Sequence, residues 1–266
     1  MSQGKVSQHA FDVLRNEPAA EGIWRLVISS SVAATIMPGQ FMNLAVPGDG
    51  SHILRIPLSF KCANADDSTV ELLYAVVGEG TKRLSLMREG DSSVLTGPCG
   101  RGWWLPKNEG RALLVAGGIG LPPILAAAGM LAGEGVPYDM VVGVRTASLL
   151  LHDDLDAMAS AMGEDGQLVI CTDDGSFGQH GFTTDATQDL LDKQSYGQLY
   201  TCGAALMMAG VAKIAAEHQL ACQASLERMM GCGFGACSCC NVELASGGYA
   251  LCCQDGPVFD ATEVVW

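Results

Sequence analysis

The distribution of cysteine constrains this chain more than any other feature of its sequence. The chain has 266 residues, and eight of its 11 cysteines fall between Cys202 and Cys253. A secreted disulfide scaffold would spread its cysteines through a short chain, and the first residues here contain no apolar leader for secretion. We therefore expect a cytoplasmic protein in which clustered thiolates bind a metal.

Four of these cysteines have the spacing of a plant-type iron–sulfur site. Cys232, Cys237 and Cys240 form a C-x4-C-x2-C pattern, and Cys253 follows 13 residues later. Two sulfide-bridged iron atoms need four thiolates that converge on one small volume, and nearby glycines let the backbone wrap closely around them. The pattern therefore predicts a 2Fe–2S cluster.

Spacing alone leaves other uses of the same cysteines open. A zinc knuckle would use the C-x2-C pair with Cys252 or Cys253, but it leaves Cys232 and the neighbouring glycines unexplained. Cys239 and Cys252 stand beside two of the predicted ligands, and either of them could replace its neighbour. A redox-active disulfide is a weaker alternative.

The charge of the chain argues against two classes of partner. Asp and Glu total 29 against 15 Lys and Arg, and the resulting net charge of −14 repels nucleic acid and anionic membrane surfaces. The uncharged run from Ala112 to Gly133 is long enough to cross a bilayer. Because it contains several glycines and a Pro122-Pro123 pair, we interpret it as a buried strand, a glycine-rich turn and the start of a helix.

Residues 1–105 have the pattern of a small antiparallel barrel. Four short strand-like runs are separated by Gly, Pro, Asp and Ser. The runs cover residues 22–29, 39–46, 52–60 and 69–77. One short helix is expected after the last run, with Thr81 as its N-cap.

Residues 106–221 alternate strand-like and helix-like segments, which is typical of a parallel sheet with crossover helices. From residue 222 the periodicity is lost, and residues 222–266 are too short to bury a core without an inorganic group. The sequence thus predicts a β plus α/β fold in three parts: an antiparallel barrel, a parallel-sheet domain and a Cys-rich C-terminal segment.

A glycine-rich turn stands between the first strand and helix of the parallel-sheet domain. Residues 117–120 (GGIG) suit a pyrophosphate held at a helix N-terminus. The dinucleotide fingerprint is incomplete, because Pro123 replaces its third glycine and Arg145 replaces the acidic residue after the next strand. An ordinary tight turn explains the motif equally well.

The sequence offers no evident acid–base machinery. Its five histidines are scattered, and no Ser-His-Asp or Cys-His set can be recognised. That absence suits a protein that moves electrons.

Taken together, these segments resemble the ferredoxin reductase-like flavoproteins, and more narrowly the electron-transfer subunits of class 1B dihydroorotate dehydrogenase. The resemblance covers nearly the whole chain, and the C-terminal motif is its most specific part. The motifs that carry it are PGQF (38–41), RIPLS (55–59), LYA (73–75), GPCGRGW (97–103), GGIGLPP (117–123), TDDGSFGQHGF (172–182), CGAALMM (202–208), CGFGACSCC (232–240) and CCQDGPVF (252–259).

The resemblance implies an FAD site in residues 1–105. One departure is that Ile56 stands where the family usually has the flavin-motif arginine, while Arg55 lies one place earlier and so on the opposite face of a strand. The implied FAD-binding residues are Arg55, Ile56, Pro57, Leu58, Ser59, Leu73, Tyr74, Ala75, Gly80 and Thr81.

The resemblance also implies an NAD(P) site in residues 106–221. It gives Cys202 a catalytic place beside the transferred hydride, and it favours NAD although Arg145 leaves NADP open. The implied residues are Gly117, Gly118, Ile119, Gly120, Arg145, Cys202 and Gly203. In residues 222–266 the C-x-D-G-P-V-F context selects Cys253 over Cys252, and the register selects Cys240 over Cys239.

The implied activity is electron transfer between NAD(H), FAD and the cluster, to or from an FMN-containing dihydroorotate dehydrogenase catalytic subunit in a heterotetramer of pyrimidine biosynthesis. Nothing in this sequence supplies a pyrimidine site, which favours a subunit over a complete enzyme. One alternative is a related subunit of a bifurcating ferredoxin–NADP reductase or of a sulfide dehydrogenase. Another is a non-catalytic metal-binding adaptor, which the Ile56 departure alone supports.

Overall fold

The computed structural model describes residues 6–46 and 54–266. The chain forms two compact units. The first contains the chain up to Trp103 together with Glu227–Glu243 and Gly247–Val258. The second contains Trp104–Leu226, Leu244–Ser246 and Phe259–Trp266. The C-terminal segment is therefore divided between the units, while the three-part functional division at residues 105 and 221 stays a prediction.

The first unit is built on a curled antiparallel sheet of seven strands. In sheet order they are β4, β3, β7, β1, β2, β6 and β5, and β4 contacts β6, so that the sheet bends round on itself. This confirms the predicted antiparallel barrel in an incompletely closed form. The strands are β1 (Ser7–Ala20), β2 (Ile23–Ser29), β3 (Phe41–Leu44), β4 (Ile56–Ser59), β5 (Cys62–Asn64), β6 (Thr69–Ala75) and β7 (Ser92–Cys99).

Four of the seven strands correspond to predicted runs, whereas β1, β5 and β7 were not predicted. The four predicted runs correspond to β2, β3, β4 and β6, except that residues 52 and 53 lie outside the described residues. The long strand β1 was missed because only Phe11 and Val13 of its 14 residues are buried. A strand with so few buried side chains leaves little alternation for a sequence pattern to detect.

Helix α1 (Glu79–Ser85) begins earlier than the sequence indicated. The prediction that Thr81 is its N-cap is wrong: Gly78 is the N-cap, and Thr81 is the third helical residue. Its hydroxyl oxygen accepts hydrogen bonds from the N–H groups of Val77 (3.0 Å) and Gly78 (3.1 Å). A polar side chain at this position satisfies N–H groups that the helix leaves open, as in a capping box.

The second unit contains a seven-stranded sheet whose pairs from β11 to β13 are all parallel. The order is β11, β10, β9, β8, β12, β13 and β16, which confirms the predicted parallel sheet. Its strands are β8 (Ala112–Gly117), β9 (Tyr138–Val144), β10 (Leu168–Thr172), β11 (Gln179–His180), β12 (Gln198–Cys202), β13 (Cys222–Ser225) and β16 (Val258–Asp260). A separate hairpin, which belongs to the first unit, is formed by β14 (Asn241–Glu243) and β15 (Tyr249–Leu251).

Four helices connect the parallel strands. They are α2 (Leu121–Gly133), α3 (His152–Met162), α4 (Thr183–Lys193) and α5 (Ala205–Glu217). The uncharged run of residues 112–133 is β8, a glycine turn and α2, as predicted. Across the described part of the chain, every helix is too short or too polar to traverse a bilayer.

The order of the parallel strands creates a crevice. The chain runs outward from β8 through β9, β10 and β11, and then returns to place β12 on the other side of β8. At such a switch point the connections leave the sheet in opposite directions, and ligands bind beyond the carboxyl ends of the two strands. Those ends are Gly117 of β8 and Cys202 of β12.

Candidate metal centre and cofactor sites

The four predicted cluster ligands lie in the first unit and associate in two pairs. The thiol of Cys232 is hydrogen-bonded to that of Cys237, and the thiol of Cys253 to that of Cys240. The backbone strengthens each pair, since the Cys232 N–H lies 3.4 Å from Cys237 Sγ and the Cys253 N–H 3.4 Å from Cys240 Sγ. A 2Fe–2S cluster needs two thiolates on each of its two irons, so this pairing fits the group.

Residues 232–240, here called the ligand loop, direct several N–H groups at these sulfurs. Cys232 Sγ accepts from the N–H groups of Phe234 (3.5 Å) and Ala236 (3.2 Å). Cys253 Sγ accepts from the Gly235 N–H at 3.1 Å. Such donors stabilise negative charge on sulfur, which a thiolate-ligated cluster requires.

The two thiol environments differ in their effect on ionisation. Burial acts to raise the pKa of Cys232, but hydrogen bonds from the backbone of Phe234, Cys237 and Ala236 outweigh it and lower the pKa to about 7. Burial raises the pKa of Cys253 to about 12, and the neighbouring Cys240 acts in the same direction. The ligand loop itself therefore favours the thiolate at its first cysteine.

The four predicted ligand thiols lie as two pairs. Among residues 6–46 and 54–266, no group of three or more His, Cys, Asp or Glu side chains is placed to hold a single metal ion. Cys239 is exposed and Cys252 is fully buried; the choice of Cys240 and Cys253 as ligands stays a prediction.

The predicted FAD residues in and before β4 differ in the charge that their side chains could offer to a flavin phosphate. Ile56 is 8% exposed and apolar, so it contributes no charge to a phosphate. Arg55 lies immediately before β4, and its guanidinium donates to the Thr96 hydroxyl of β7 at 2.7 Å. Arg55 is thus the cation that this segment offers, held across the sheet by β7.

Two predicted FAD residues of β6 face the core. Leu73 is 2% exposed and Tyr74 fully buried, and the Tyr74 hydroxyl donates to Asn16 Oδ1 at 3.0 Å. Burial also raises the pKa of Tyr74. Because both side chains are buried, only the backbone of Leu73 and Tyr74 could contact a bound flavin. The half-buried members of the set are Arg55, Pro57, Leu58, Ser59 and Ala75, whereas Gly80 and Thr81 are buried at the start of α1.

The ligand loop contacts the strand that lies between β4 and β7. Asn43 of β3 stands opposite Pro57 in β4 and opposite Thr96 in β7. Its side-chain Nδ2 donates to the Cys232 carbonyl at 3.4 Å. The candidate flavin segment and the candidate cluster are consequently neighbours within one compact unit.

A buried cysteine near this junction responds to both groups. Burial raises the pKa of Cys99 in β7 to about 12, the nearby Cys232 acts in the same direction, and Arg55 opposes them. Cys99 is thus within electrostatic reach of both Arg55 and Cys232.

The predicted nicotinamide residues gather at the crevice of the second unit. A Cβ on Gly120 would lie 2.3 Å from the Cys202 carbonyl oxygen, and one on Gly203 would lie 3.0 Å from Gly117 Cα. The two turns thus pack backbone against backbone, as only glycine allows. Arg145 follows β9 directly at the same edge and is exposed.

The start of α2 is a poorer anion site than the sequence pattern suggested. Pro122 and Pro123 have no N–H groups, and the Leu121 N–H is directed to the Gly118 carbonyl. Fewer donors are therefore available than at an ordinary helix N-terminus. The glycines are better understood as allowing close approach of a ligand at the crevice.

Sequence reasoning did not identify Asn43 or Gln254 as site residues. Gln254 Nε2 donates to the Phe234 carbonyl of the ligand loop at 3.2 Å. A polar Asn within the apolar run of β3 is a weak signal that something polar covers it. The position of Gln254 beside a ligand cysteine gave no comparable signal.

Two regions of the chain match known family models, and solved structures and curated proteins resemble nearly all of it. Residues 227–265 match the family model for the iron-sulfur cluster binding domain of dihydroorotate dehydrogenase B, and residues 114–213 match the oxidoreductase NAD-binding domain. A solved structure described as giving insights into flavin-based electron bifurcation, that of an NADH-dependent reduced ferredoxin-NADP oxidoreductase, is 27% identical with a TM-score of 0.84. It covers 96% of this chain and 89% of its own.

Three curated relatives carry one name, dihydroorotate dehydrogenase B (NAD(+)), electron transfer subunit, qualified as probable in the third. The protein from Geobacillus sp. (strain WCH70) is 35% identical, covering 98% of this chain and 99% of its own. That from Streptococcus pneumoniae (strain R6) is 34% identical, covering 95% and 96%. That from Methanocaldococcus jannaschii is 38% identical, covering 84% and 78%. The chain therefore belongs to the family of the electron transfer subunits of dihydroorotate dehydrogenase B.

Proposed function

We propose that this chain carries electrons between NAD(H) and the catalytic subunit of a dihydroorotate dehydrogenase, through FAD and a 2Fe–2S cluster. The observation that carries the proposal is the Asn43 contact. Asn43, which pairs with Pro57 of the flavin segment in β4, donates a hydrogen bond to the carbonyl of Cys232, the first predicted cluster ligand. Bound FAD would exchange a hydride as two electrons and release them singly, and a 2Fe–2S cluster takes one electron at a time.

The residues of this chain have positioning roles in that function. The glycines and Cys202 at the crevice admit the nicotinamide ring, and Arg145 lies at the same edge of the sheet. Arg55 offers a guanidinium to a flavin phosphate, while Ser59 and Ala75 offer half-buried surface on β4 and β6. Cys232, Cys237, Cys240 and Cys253 supply the four thiolates, and the ligand-loop N–H groups stabilise their charge.

We also propose NAD rather than NADP as the nucleotide. Asp173 and Asp174 follow β10, and their N–H groups donate to the carbonyls of Val144 (3.1 Å) and Arg145 (3.2 Å). Hydrogen bonds from Ser176 lower the pKa of Asp174, so that its carboxylate is charged at neutral pH. Negative charge on the segment whose backbone pairs with that of Arg145 disfavours the 2′-phosphate of NADP. The test compares kcat/KM for NADH and NADPH in wild type and in Asp174→Asn, where we expect the preference for NADH to weaken.

The partner and its compartment belong to the same proposal. The names of the relatives support a dihydroorotate-oxidising catalytic subunit, which we propose contains FMN and forms a heterotetramer with this chain in the cytoplasm. Such a complex would serve pyrimidine biosynthesis in either direction of electron flow.

The test is an anaerobic visible spectrum of the purified chain before and after NADH. We expect flavin bands over broad iron–sulfur absorption, with both bleached by NADH. A colourless protein that contains zinc would overturn the proposal. Co-expression of this chain with the catalytic subunit should then give a complex that reduces NAD with dihydroorotate as the electron donor.

A second candidate is a flavin and iron–sulfur subunit of a bifurcating ferredoxin–NADP reductase. The solved NADH-dependent oxidoreductase, with its TM-score of 0.84, supports it. Reduction of ferredoxin in the native complex, with no response to dihydroorotate, would favour this candidate over the first.

A further inference from the structure

Two amide side chains contact the ligand loop from its carbonyl side. Asn43 Nδ2 donates to the Cys232 carbonyl at 3.4 Å, and Gln254 Nε2 donates to the Phe234 carbonyl at 3.2 Å. Asn43 belongs to β3 and is 2% exposed, whereas Gln254 is exposed and follows the last cluster ligand. The loop is therefore held from two distant parts of the sequence.

Each amide stands against a glycine. A Cβ on Gly233 would lie 1.5 Å from Asn43 Nδ2, and one on Gly235 would lie 2.2 Å from Gln254 Cδ. Both glycines have positive φ, +77° and +86°. Only glycine combines that backbone conformation with this close approach, so each glycine makes room for one amide.

The geometry of the peptide bond links carbonyl contact to sulfur contact. In a trans peptide the C=O and the following N–H point in opposite directions. When Gln254 binds the Phe234 carbonyl, the Gly235 N–H of the same peptide points the other way, toward Cys253 Sγ at 3.1 Å. Gln254 and Cys253 thus both hydrogen-bond to the peptide group between Phe234 and Gly235, and together they fix its orientation.

Asn43 acts at the beginning of the loop. It holds the carbonyl of Cys232, whose sulfur accepts the N–H groups of Phe234 and Ala236. Because Asn43 is buried, its position is fixed by the sheet and not by solvent. Asn43 therefore fixes the backbone at the start of the segment that carries the N–H groups of Phe234 and Ala236 to Cys232 Sγ.

We propose that Asn43 and Gln254 are positioning residues that set the reduction potential of the cluster by orienting the N–H groups of the ligand loop toward its sulfurs. This inference rests on the proposed 2Fe–2S cluster. N–H···S hydrogen bonds stabilise the more negative, reduced cluster and so raise its potential. Loss of either amide should lower that potential.

The experiment is an EPR-monitored redox titration of the full-length chain with its cofactors. In Gln254→Ala we expect the ratio of reduced to oxidised cluster at a fixed potential to fall about tenfold, which is about 59 mV for a one-electron couple. Gln254→Glu should lower it further, because it replaces the donor with a negative charge. Asn43→Asp should lower the potential while it preserves side-chain shape.

Asn241 provides the matched control. It is an exposed amide that also follows a ligand cysteine, but it lies in β14. Asn241→Ala should leave the potential unchanged, and Asn241→Asp gives the effect of charge alone. Potentials of Gln254→Ala and Asn43→Asp equal to wild type, or an equal shift in Asn241→Ala, would overturn the inference. A wild-type protein without the cluster spectrum would instead overturn the proposed function, so the two failures are distinguishable.

Discussion

The ligand loop and the parallel sheet of the second unit are held in place by different kinds of interaction. Strands β8 and β9 are buried almost throughout, and apolar burial stabilises them. The ligand loop is largely exposed from Phe234 to Cys239, and its contacts are N–H···S bonds and two amide contacts. One region depends on its core, and the other on polar contacts and the group that its thiols bind.

The largest expected effect is the removal of a cluster ligand. Cys237→Ser should abolish the cluster, because each iron needs both thiolates of its pair. Iron content and visible absorption measure the loss. NADH binding, which the parallel sheet supports, should survive. Cys239→Ser is the control and should keep full iron content; a Cys239→Ser protein that lacks iron and shows only flavin absorption would place a ligand at residue 239.

The next effect concerns Asp139 of β9, a fully buried carboxylate in the parallel sheet of the second unit. Asp139 accepts hydrogen bonds from the Arg111 guanidinium (2.9 Å), the Gln167 N–H (2.8 Å) and the Tyr196 hydroxyl (2.7 Å). Asp139→Ala should lower the free energy of unfolding by about 3 kcal/mol, because it strands these donors. Urea denaturation measures it.

Exposed Asp156 in α3 supplies the control for that measurement. Asp156→Ala should change the unfolding free energy by less than about 0.5 kcal/mol. An unchanged iron–sulfur spectrum in Asp139→Ala would show that the two regions are stabilised independently, whereas loss of the cluster would break the comparison.

A smaller effect is expected at the crevice. Gly120→Ala places a Cβ 2.3 Å from the Cys202 carbonyl, so that one turn must move. We expect NADH to bind about tenfold more weakly, a loss of about 1.4 kcal/mol, as measured by fluorescence titration. Gly129 of α2 has open space around its Cα. Gly129→Ala should leave NADH affinity unchanged and stabilise the fold by about 0.5–1 kcal/mol.

The smallest effect is expected for Phe234, whose side chain in the ligand loop contributes little apolar burial. Phe234 is 48% exposed, whereas Leu113 of β8 is fully buried. Phe234→Ala should change the unfolding free energy of the apoprotein by less than about 0.5 kcal/mol, while Leu113→Ala should cost about 2–5 kcal/mol. Equal losses in thermal unfolding would contradict the contrast between the regions.

Prediction from sequence succeeded where a pattern repeats over a few residues. The buried strands β8 and β9 and the helix start at Pro122 were evident from apolar runs and proline placement. It failed for β1, whose side chains are mostly exposed, and for β13, a strand of four residues after the predicted loss of periodicity. Thr81 was misplaced because its capping role depends on the backbone path before α1.

The sequence by itself determined the number and spacing of the cluster cysteines and the alternation of strands and helices, because these are properties of neighbouring residues. Tertiary structure decided which thiols pair, which predicted flavin residues face the core, and how the turns at Gly120 and Cys202 pack together. It also brought Asn43 to Cys232 across 189 residues. Contacts of that range depend on the path of the whole backbone, which no local pattern encodes.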